Sequence, residues 1–436
     1  MAKIIYPLSR IEGHAQVVID MRAGSVSARF KAMEFRGFEK FMTGVPSEQI
    51  PVIVSRLCGV CSTAHHVTAI KALEDVFGVE PPPIAKKIRE LMLLGQLIQN
   101  QATSLFLMSM PDRLGSESIF LMEGDSDQKK QMAEITAKAL HVRKAGTNLI
   151  ALAGGQCIHP VRAVVGGVSS GIPEAKAAAM LTEIESAIPV ACKLVDHYWE
   201  LSLNLRERIG TWGDDEPSFY ITSTSSHRPS LDNDTLYILN PDGAVCESFP
   251  PKDFRKHLTF EESDYSYASK TSYNGSIIRA NSLARMNSTA AFSTPHADSY
   301  RARFQESFGI PSHAILLYDL ARGIELVYAL ERTIELLQQP LDNADTDVPY
   351  TPRDGDGYGL VEAPRGPLIH YYRIENNCIS AVKYIIPTVH NMLAIERALG
   401  VAARRYIHDG KIDLELEHAV GRVVRAFDPC IACATH

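Results

Sequence analysis

Two Cys-x-x-Cys pairs stand at opposite ends of this sequence, Cys58 and Cys61 in "SRLCGVCSTAHH" and Cys430 and Cys433 in "DPCIACATH". In a long, cytosolic-looking chain, such pairs point to metal or redox chemistry rather than to a disulfide framework. If all four thiolates serve one metal, the fold must close its two ends on each other. Two such pairs bind zinc tetrahedrally, but the pairs of a compact zinc ribbon lie about 15–20 residues apart. Zinc here would be a clasp across the whole fold. Nickel and iron also take thiolate ligands, and the pairs alone leave both readings open. The other cysteines, Cys157, Cys192, Cys246 and Cys378, are isolated and read as small buried apolar residues.

A core to carry that closure is available, since 45% of the 436 residues are hydrophobic and 22% charged. The net charge of −7 gives no basis for a nucleic-acid or anionic-membrane partner. "MAKIIYPLSRIEGHAQ" holds no apolar leader. "LMLLGQLIQNQATSLFLMSM" is broken by Gln, Asn and Ser before the roughly 20 residues a membrane span needs. A soluble, cytoplasmic chain is expected.

Residues 3–36 read as extended, with "HAQVVIDM" and "SVSARFKAMEF" flanking "RAG" as a two-stranded ribbon and its turn. Apolar residues recur at helical spacing in "PPIAKKIRELMLLGQLIQNQATSLFLM", "KKQMAEITAKALHVRKAGTNLIAL" and "PEAKAAAMLTEIESAIPVACKLVDHYWELSLNL". Helices of that length pack into bundles. Residues 211–300 break the pattern, and "TLYILNPDGAVCESF" reads as a hairpin around Asn-Pro-Asp-Gly inside a strand-and-loop insertion. Helix resumes at "LYDLARGIELVYALERTIELLQQ". A loop rich in Pro, Gly and Asp follows over 340–358, then a mixed segment and a last helix around "LELEHAVGRVVRAF". The expected fold class is mainly α with a smaller β component (α+β). It is one large helical-bundle domain over residues 1–436, with an N-terminal β ribbon and the 211–300 insertion.

"RxCGVCxxxH" with the C-terminal "DPCxxCxxH" closely resembles the large subunit of the [NiFe] hydrogenases. "RIEGH" at 10–14, "RGFE" at 36–39, "EAPRG" at 362–366 and "PTVHN" at 387–391 follow in that family's order. The resemblance spans residues 10–436 and implies reversible cleavage of dihydrogen into protons and electrons. On it, Cys58, Cys61, Cys430 and Cys433 bind nickel, and Cys61 and Cys433 also bridge to an iron carrying carbon monoxide and cyanide. Cys58 and Cys430 are terminal on nickel, the proton goes to a terminal thiolate, with Cys430 counted as catalytic, and Glu12 of "RIEGH" relays it. His65 matches the histidine that hydrogen-bonds a bridging thiolate, whereas His66 reads as an ordinary packed or exposed histidine. Arg365 matches the arginine above the metals, whose planar fork suits cyanide. Pro364 supplies backbone beside it, Thr388 caps the second cyanide, and Asp428 pairs with Arg365. Glu39, the backbone carbonyl of Tyr384 and His436 are implied ligands of a buried magnesium, with iron as the alternative. One departure stands out: Asn100 in "QLIQNQATSLF" falls where the family often has an Asp, which keeps hydrogen bonding but removes a charge. The family's precursors are trimmed after a histidine once nickel is inserted. A chain ending at His436 therefore reads as a matured form, served by a maturation protease and nickel-insertion chaperones.

No Gly-x-Gly-x-x-Gly follows a strand. "GGVSSG" at 166–171 fails the pattern, and "GDGYG" at 355–359 has the wrong spacing and reads as a loop, so no nicotinamide or flavin site is expected. The leftover cysteines form no iron–sulfur motif. Electrons need a partner, and the resemblance implies an obligate iron–sulfur small subunit. Chain length and the "IIPTVHN" and "CATH" segments resemble the cytoplasmic multisubunit enzymes, above all the methyl-viologen-reducing type associated with heterodisulfide reductase. The alternatives are a bidirectional or electron-bifurcating enzyme linked to NAD(P) and ferredoxin through a flavin subunit, and a non-catalytic scaffold like that of complex I. The scaffold lacks the metal cysteines present here.

Overall fold

Long amphipathic and all-apolar stretches in the sequence become the helices of the structure, a computed structural model that describes residues 2–22, 25–121, 125–209, 216–224, 228–342, 345–408 and 411–436. Helix makes up 50% and strand 21%, the helix-dominated α+β class expected. The helices Pro83–Ala102, Ser126–Gly154, Glu174–Ile209 and Leu317–Leu337 pack on one another as a bundle. Pro83 opens the first of these, where a missing N–H costs nothing. Asp125 and Gln128 form a reciprocal capping box at the start of the second. Leu317–Leu337 runs through the middle, with only Arg332, Ile334 and Glu335 outside the core. Its buried charges are paired, Asp319 with Arg113 and Arg322, and Glu325 with Arg285. After Ala102 the chain widens into a π-helical stretch, Thr103–Ser109, before the short helix Met110–Leu114.

The N-terminal ribbon has three strands rather than two. Ala2–Pro7 pairs antiparallel with Ala15–Arg22, which pairs with Ser25–Ala32. The turn residues Ala23 and Gly24 lie outside the described residues. The expected insertion begins outside them too, at 211–215. Its described strands between Phe219 and Arg279 form a six-stranded sheet, including the hairpin Leu236–Leu239 and Val245–Phe249 around Asn240–Gly243, with short helical turns at Pro251–Asp253 and Phe254–His257. Its strand character ends sooner than expected, because Ser282–Ser288 and Pro295–Phe308 are helical.

A third sheet, Gly355–Ala363, Gly366–Glu375 and Cys378–Ile385, occupies the segment that reads as loop and mixed structure. "GDGYG" is therefore strand. Its glycines serve close approach: a Cβ on Gly359 would sit 2.1 Å from the Thr68 carbonyl oxygen of the helix Ser62–Phe77. That helix is buried except at Lys71 and Asp75, so the sheet lies directly on its backbone. The isolated cysteines also differ from expectation. Cys157 and Cys246 are exposed, and Cys192 and Cys378 are half-buried.

Gly359→Ala should lower stability by about 1–3 kcal/mol, because neither backbone has room to withdraw. A fall in the urea midpoint at unchanged m-value checks it.

Candidate metal centre

The four paired cysteines sit at two helix starts. Cys58 lies between the helices Ile50–Val54 and Ser62–Phe77, and Cys61 is the N-cap of the latter. Cys430 is the N-cap of the one-turn helix Ile431–Ala434, which contains Cys433. All four are buried, with their Sγ atoms within 4.8 Å of one another. Cys430 Sγ lies 2.8 Å from Cys433, 3.4 Å from Cys58 and 3.9 Å from Cys61. All four are free thiols. Hydrogen bonding with Cys430 and Cys433 pulls Cys61 well below the usual thiol range, while burial pushes Cys430 and Cys433 well above it. Four crowded sulfurs of this kind fit a soft metal that takes up the charge of their deprotonated forms. They do not fit a hard oxygen-seeking cation.

The two ends are held together by their backbones. Glu12 and Cys430 form a parallel bridge, in which the Ile431 N–H donates to the Glu12 carbonyl at 3.2 Å. The Ala432 N–H donates to Glu12 Oε2 at 3.0 Å, and Cys430 Sγ lies 3.1 Å from the same oxygen. Gly13, at φ +79, makes room: a Cβ there would lie 2.7 Å from Ile431 Cβ. Burial first, and the nearby Cys58 second, push the Glu12 carboxyl up to about 7. Asp112, its side chain 3% exposed, binds Arg10 at 2.6 Å and Arg425 at 2.6 and 2.8 Å.

Arg365 occupies the turn between two strands of the third sheet. Its Nε and Nη2 donate to the Asp428 carbonyl and Oδ1 at 2.6 and 2.9 Å, leaving Nη1 3.1 Å from Cys61 Sγ. The Asn100 amide donates to Asp428 Oδ2 at 3.1 Å. A carboxylate at that position would meet Asp428 with like charge unless it held a proton. The Pro364 carbonyl accepts from Arg285 at 2.7 Å, and Thr388 Oγ1 accepts from the Cys430 N–H at 3.0 Å. A hydroxyl in that role keeps its own proton to donate.

His65 Nε2 is 3.4 Å from Cys433 Sγ, and its Nδ1 meets His370 Nε2 at 3.0 Å. His66 is buried too, its ring nitrogens each 3.1 Å from the carbonyls of Pro51 and Ala163. Glu39 Oε1 accepts from the Tyr384 N–H at 2.9 Å and lies 3.1 Å from His436 Nε2, while Oε2 meets Lys383 Nζ at 3.1 Å. Burial opposes ionisation of Glu39, but its bond and charge contact with His436, then Lys383, hold it below the usual carboxylate range. His370, Tyr372 and Lys383 are site residues that the motifs do not mark. A signal exists for two of them: Leu368, His370 and Tyr372 alternate along the strand Gly366–Glu375, with all three buried while Arg373 and Glu375 are exposed.

A family model described as nickel-dependent hydrogenase matches residues 36–135 and 216–436, and one described as HoxL-like matches residues 4–35. The chain is 33% identical to a vhu subunit of the F420-non-reducing hydrogenase of Methanocaldococcus jannaschii, over 92% of its own length and 98% of that protein's. It is 29% identical to the NAD-reducing hydrogenase HoxS subunit beta of Cupriavidus necator, over 99% of its length and 94% of that protein's. Among solved structures, an NAD+-reducing [NiFe]-hydrogenase in its H2-reduced state superposes with a TM-score of 0.92 at 29% identity, covering all of both chains. The Ni-Fe-Se hydrogenase of Desulfomicrobium baculatum shares the fold, with a TM-score of 0.78 at 21% identity over all of both chains.

The Glu12 carboxyl gives a pH signature. Held up to about 7 in the fold against 4.5 ordinarily, it binds more proton in the native than in the unfolded chain between those values. Stability of the metal-free protein should therefore fall as pH rises through that window, by roughly 3 kcal/mol at most. Glu12→Gln should remove this contribution. Urea titrations across the window check it, and equal slopes for both proteins would refute it.

Proposed function

The chain belongs to the nickel-dependent hydrogenase family, as its catalytic large subunit, and on that footing we propose that Cys58, Cys61, Cys430 and Cys433 hold nickel, with Cys61 and Cys433 shared with an iron that carries carbon monoxide and cyanide. The observation that carries this reading is the set of four buried sulfurs within 4.8 Å, drawn from both ends of the chain. A nickel–iron pair bound there supplies the soft centre at which dihydrogen separates into two protons and two electrons. Cys430 Sγ takes a proton and passes it to Glu12 Oε2, 3.1 Å away. A carboxyl held near 7 is matched to accepting and releasing it. Arg365, fixed by Asp428, and the Thr388 hydroxyl are the donors assigned to the two cyanides. Asn100 steadies Asp428, and the Pro364 carbonyl, held by Arg285, fixes the turn that aims Arg365.

Glu39, the Tyr384 carbonyl and His436 would hold the magnesium. The donor set fits one carboxylate with a carbonyl, provided that Lys383, its side chain 39% exposed, turns aside from Oε2. Electrons leave through iron–sulfur clusters of a small subunit. Support comes from the buried centre and from exposed apolar side chains on segments next to it: Phe35 and Phe41, which flank the "RGFE" block, and Val52 and Ile158, whose segments meet where His159 Nδ1 contacts the Ser55 carbonyl. Likeness to F420-non-reducing hydrogenases supports an acceptor other than F420, for which the heterodisulfide reductase kind is the reading proposed. Likeness to NAD-reducing enzymes supports the second reading, a flavin subunit linked to NAD(P). Among the described residues no helix is long and apolar enough to cross a membrane, in keeping with a cytoplasmic enzyme. Residues 1–436 are read as one domain.

Purified with its partner, the chain should contain nickel and iron and show infrared bands of carbon monoxide and cyanide. Cys433→Ser should lose both metals and all turnover, and a nickel-loaded Cys433→Ser enzyme of wild-type rate would overturn the assignment. Glu12→Gln should keep the metals while slowing dihydrogen oxidation by about 10²–10⁴-fold, read as kcat at matched nickel content.

A further inference from the structure

Beyond Cys433 and His65, the hydrogen-bonded chain continues. His370 Nδ1 lies 2.9 Å from the Tyr372 hydroxyl, so three contacts link Tyr372, His370, His65 and Cys433 in series at 2.9, 3.0 and 3.4 Å. His65 comes from the helix Ser62–Phe77 and the other two from the strand Gly366–Glu375. His65 is 1% exposed, and His370 and Tyr372 are 0% exposed. Tyr384 stands near edge-on to His370, with ring centroids 4.7 Å apart.

Each contact holds one proton, because two ring nitrogens at 3.0 Å are neither both protonated nor both bare without cost. Among the described residues no carboxylate bonds either ring, and one proton in each of the three contacts leaves one for the Tyr372 hydroxyl and one for each ring. Both rings are therefore neutral, with one N–H apiece. A metal-bound thiolate has no proton to give, so all three bonds run toward it. The Tyr372 O–H donates to His370 Nδ1, His370 Nε2–H donates to His65 Nδ1, and His65 Nε2–H donates to Cys433 Sγ.

We infer that His370 and Tyr372 are positioning residues for His65: they hold its ring with Nε2–H on Cys433 Sγ and, through a chain of one polarity, set how much electron density that thiolate gives its metals. Bonds in series polarise one another, so each link strengthens the last. The inference rests on Cys433 being a metal ligand.

Infrared spectra of the purified complex test it, at nickel content matched to wild type. A thiolate that loses its donor becomes a stronger ligand, and a carbon monoxide on the same iron vibrates at lower frequency. The carbonyl band should shift down in Tyr372→Phe and further in His370→Leu. It should return toward wild type in His370→Gln, whose amide N–H replaces the Nε2–H donor. Unmoved bands in both Tyr372→Phe and His370→Leu overturn the inference. So does a folded Tyr372→Phe chain that loads no metal, since a positioning role leaves the four thiolates intact. Wild-type complex without nickel or a carbonyl band counts against the proposed metal ligation itself, and is seen before any substitution is made.

Discussion

The closure of the chain turns on one carboxylate. Asp112 binds Arg10, two residues before Glu12, and Arg425, five residues before Cys430. Both ends of the polypeptide are thereby held against the same short helix, Met110–Leu114. Two guanidiniums on one carboxylate leave excess positive charge, which backbone oxygens help to absorb: Arg10 donates to the Met108 carbonyl and Arg425 to that of Ser9 at 3.1 Å. Pairs of this kind contribute register more than net stability, since desolvation offsets much of their attraction. Arg322, itself held by Asp319, donates to the Ala426 carbonyl at 2.9 Å and fixes the same helix end from the other side. The sulfurs are brought together by this outer scaffold, and their mutual contacts are its consequence.

Much of the frame is legible in the residues. Apolar periodicity marks the long helices, and Asn-Pro-Asp-Gly marks its hairpin, because both signals are local. The third sheet is not legible, because the glycines of "GDGYG" answer to a helix that lies far away in sequence. The strand Ala2–Pro7 is short and ends on a proline. The half-buried and exposed states of the isolated cysteines depend on which loop or strand edge they occupy, and residue type says nothing of that. At the centre, the motifs name the groups that face the sulfurs. They miss His370, Tyr372 and Lys383, whose partners are set by sheet register, such as the pairing of His370 with Tyr384.

Asp428 shows the limit of local rules most sharply. A residue before proline favours extended backbone, yet Asp428 sits at φ 47 and ψ 58. Its carbonyl and carboxylate both take hydrogen bonds from Arg365, and Asn100 takes up the remaining oxygen. The strained conformation is held by this buried network. The same strain turns the chain out of the helix Leu416–Phe427 and directs Cys430 toward Cys58.

The segment 428–436 also bears on the order of assembly. Apart from the Asp428 N–H bond to Arg425 in the preceding helix, its hydrogen bonds outside itself and the cysteine cluster run to Glu12, Arg36, Glu39, His65, Asn100, Arg365 and Thr388, all distant in sequence. Its one helix has four residues, far below the length at which a helix persists alone. It therefore takes shape only on docking, after the N-terminal loop, the third sheet and the helix Pro387–Tyr406 are in place. Before that, in the proposed metal centre, Cys58 and Cys61 would form a two-sulfur seat beside an open seam, where an ion would enter and leave quickly. Docking adds the second pair of sulfurs and seals the seam in one event. The residence time of an ion held there would then be set by how often the tail undocks, so its retention would be governed by kinetics as much as by affinity.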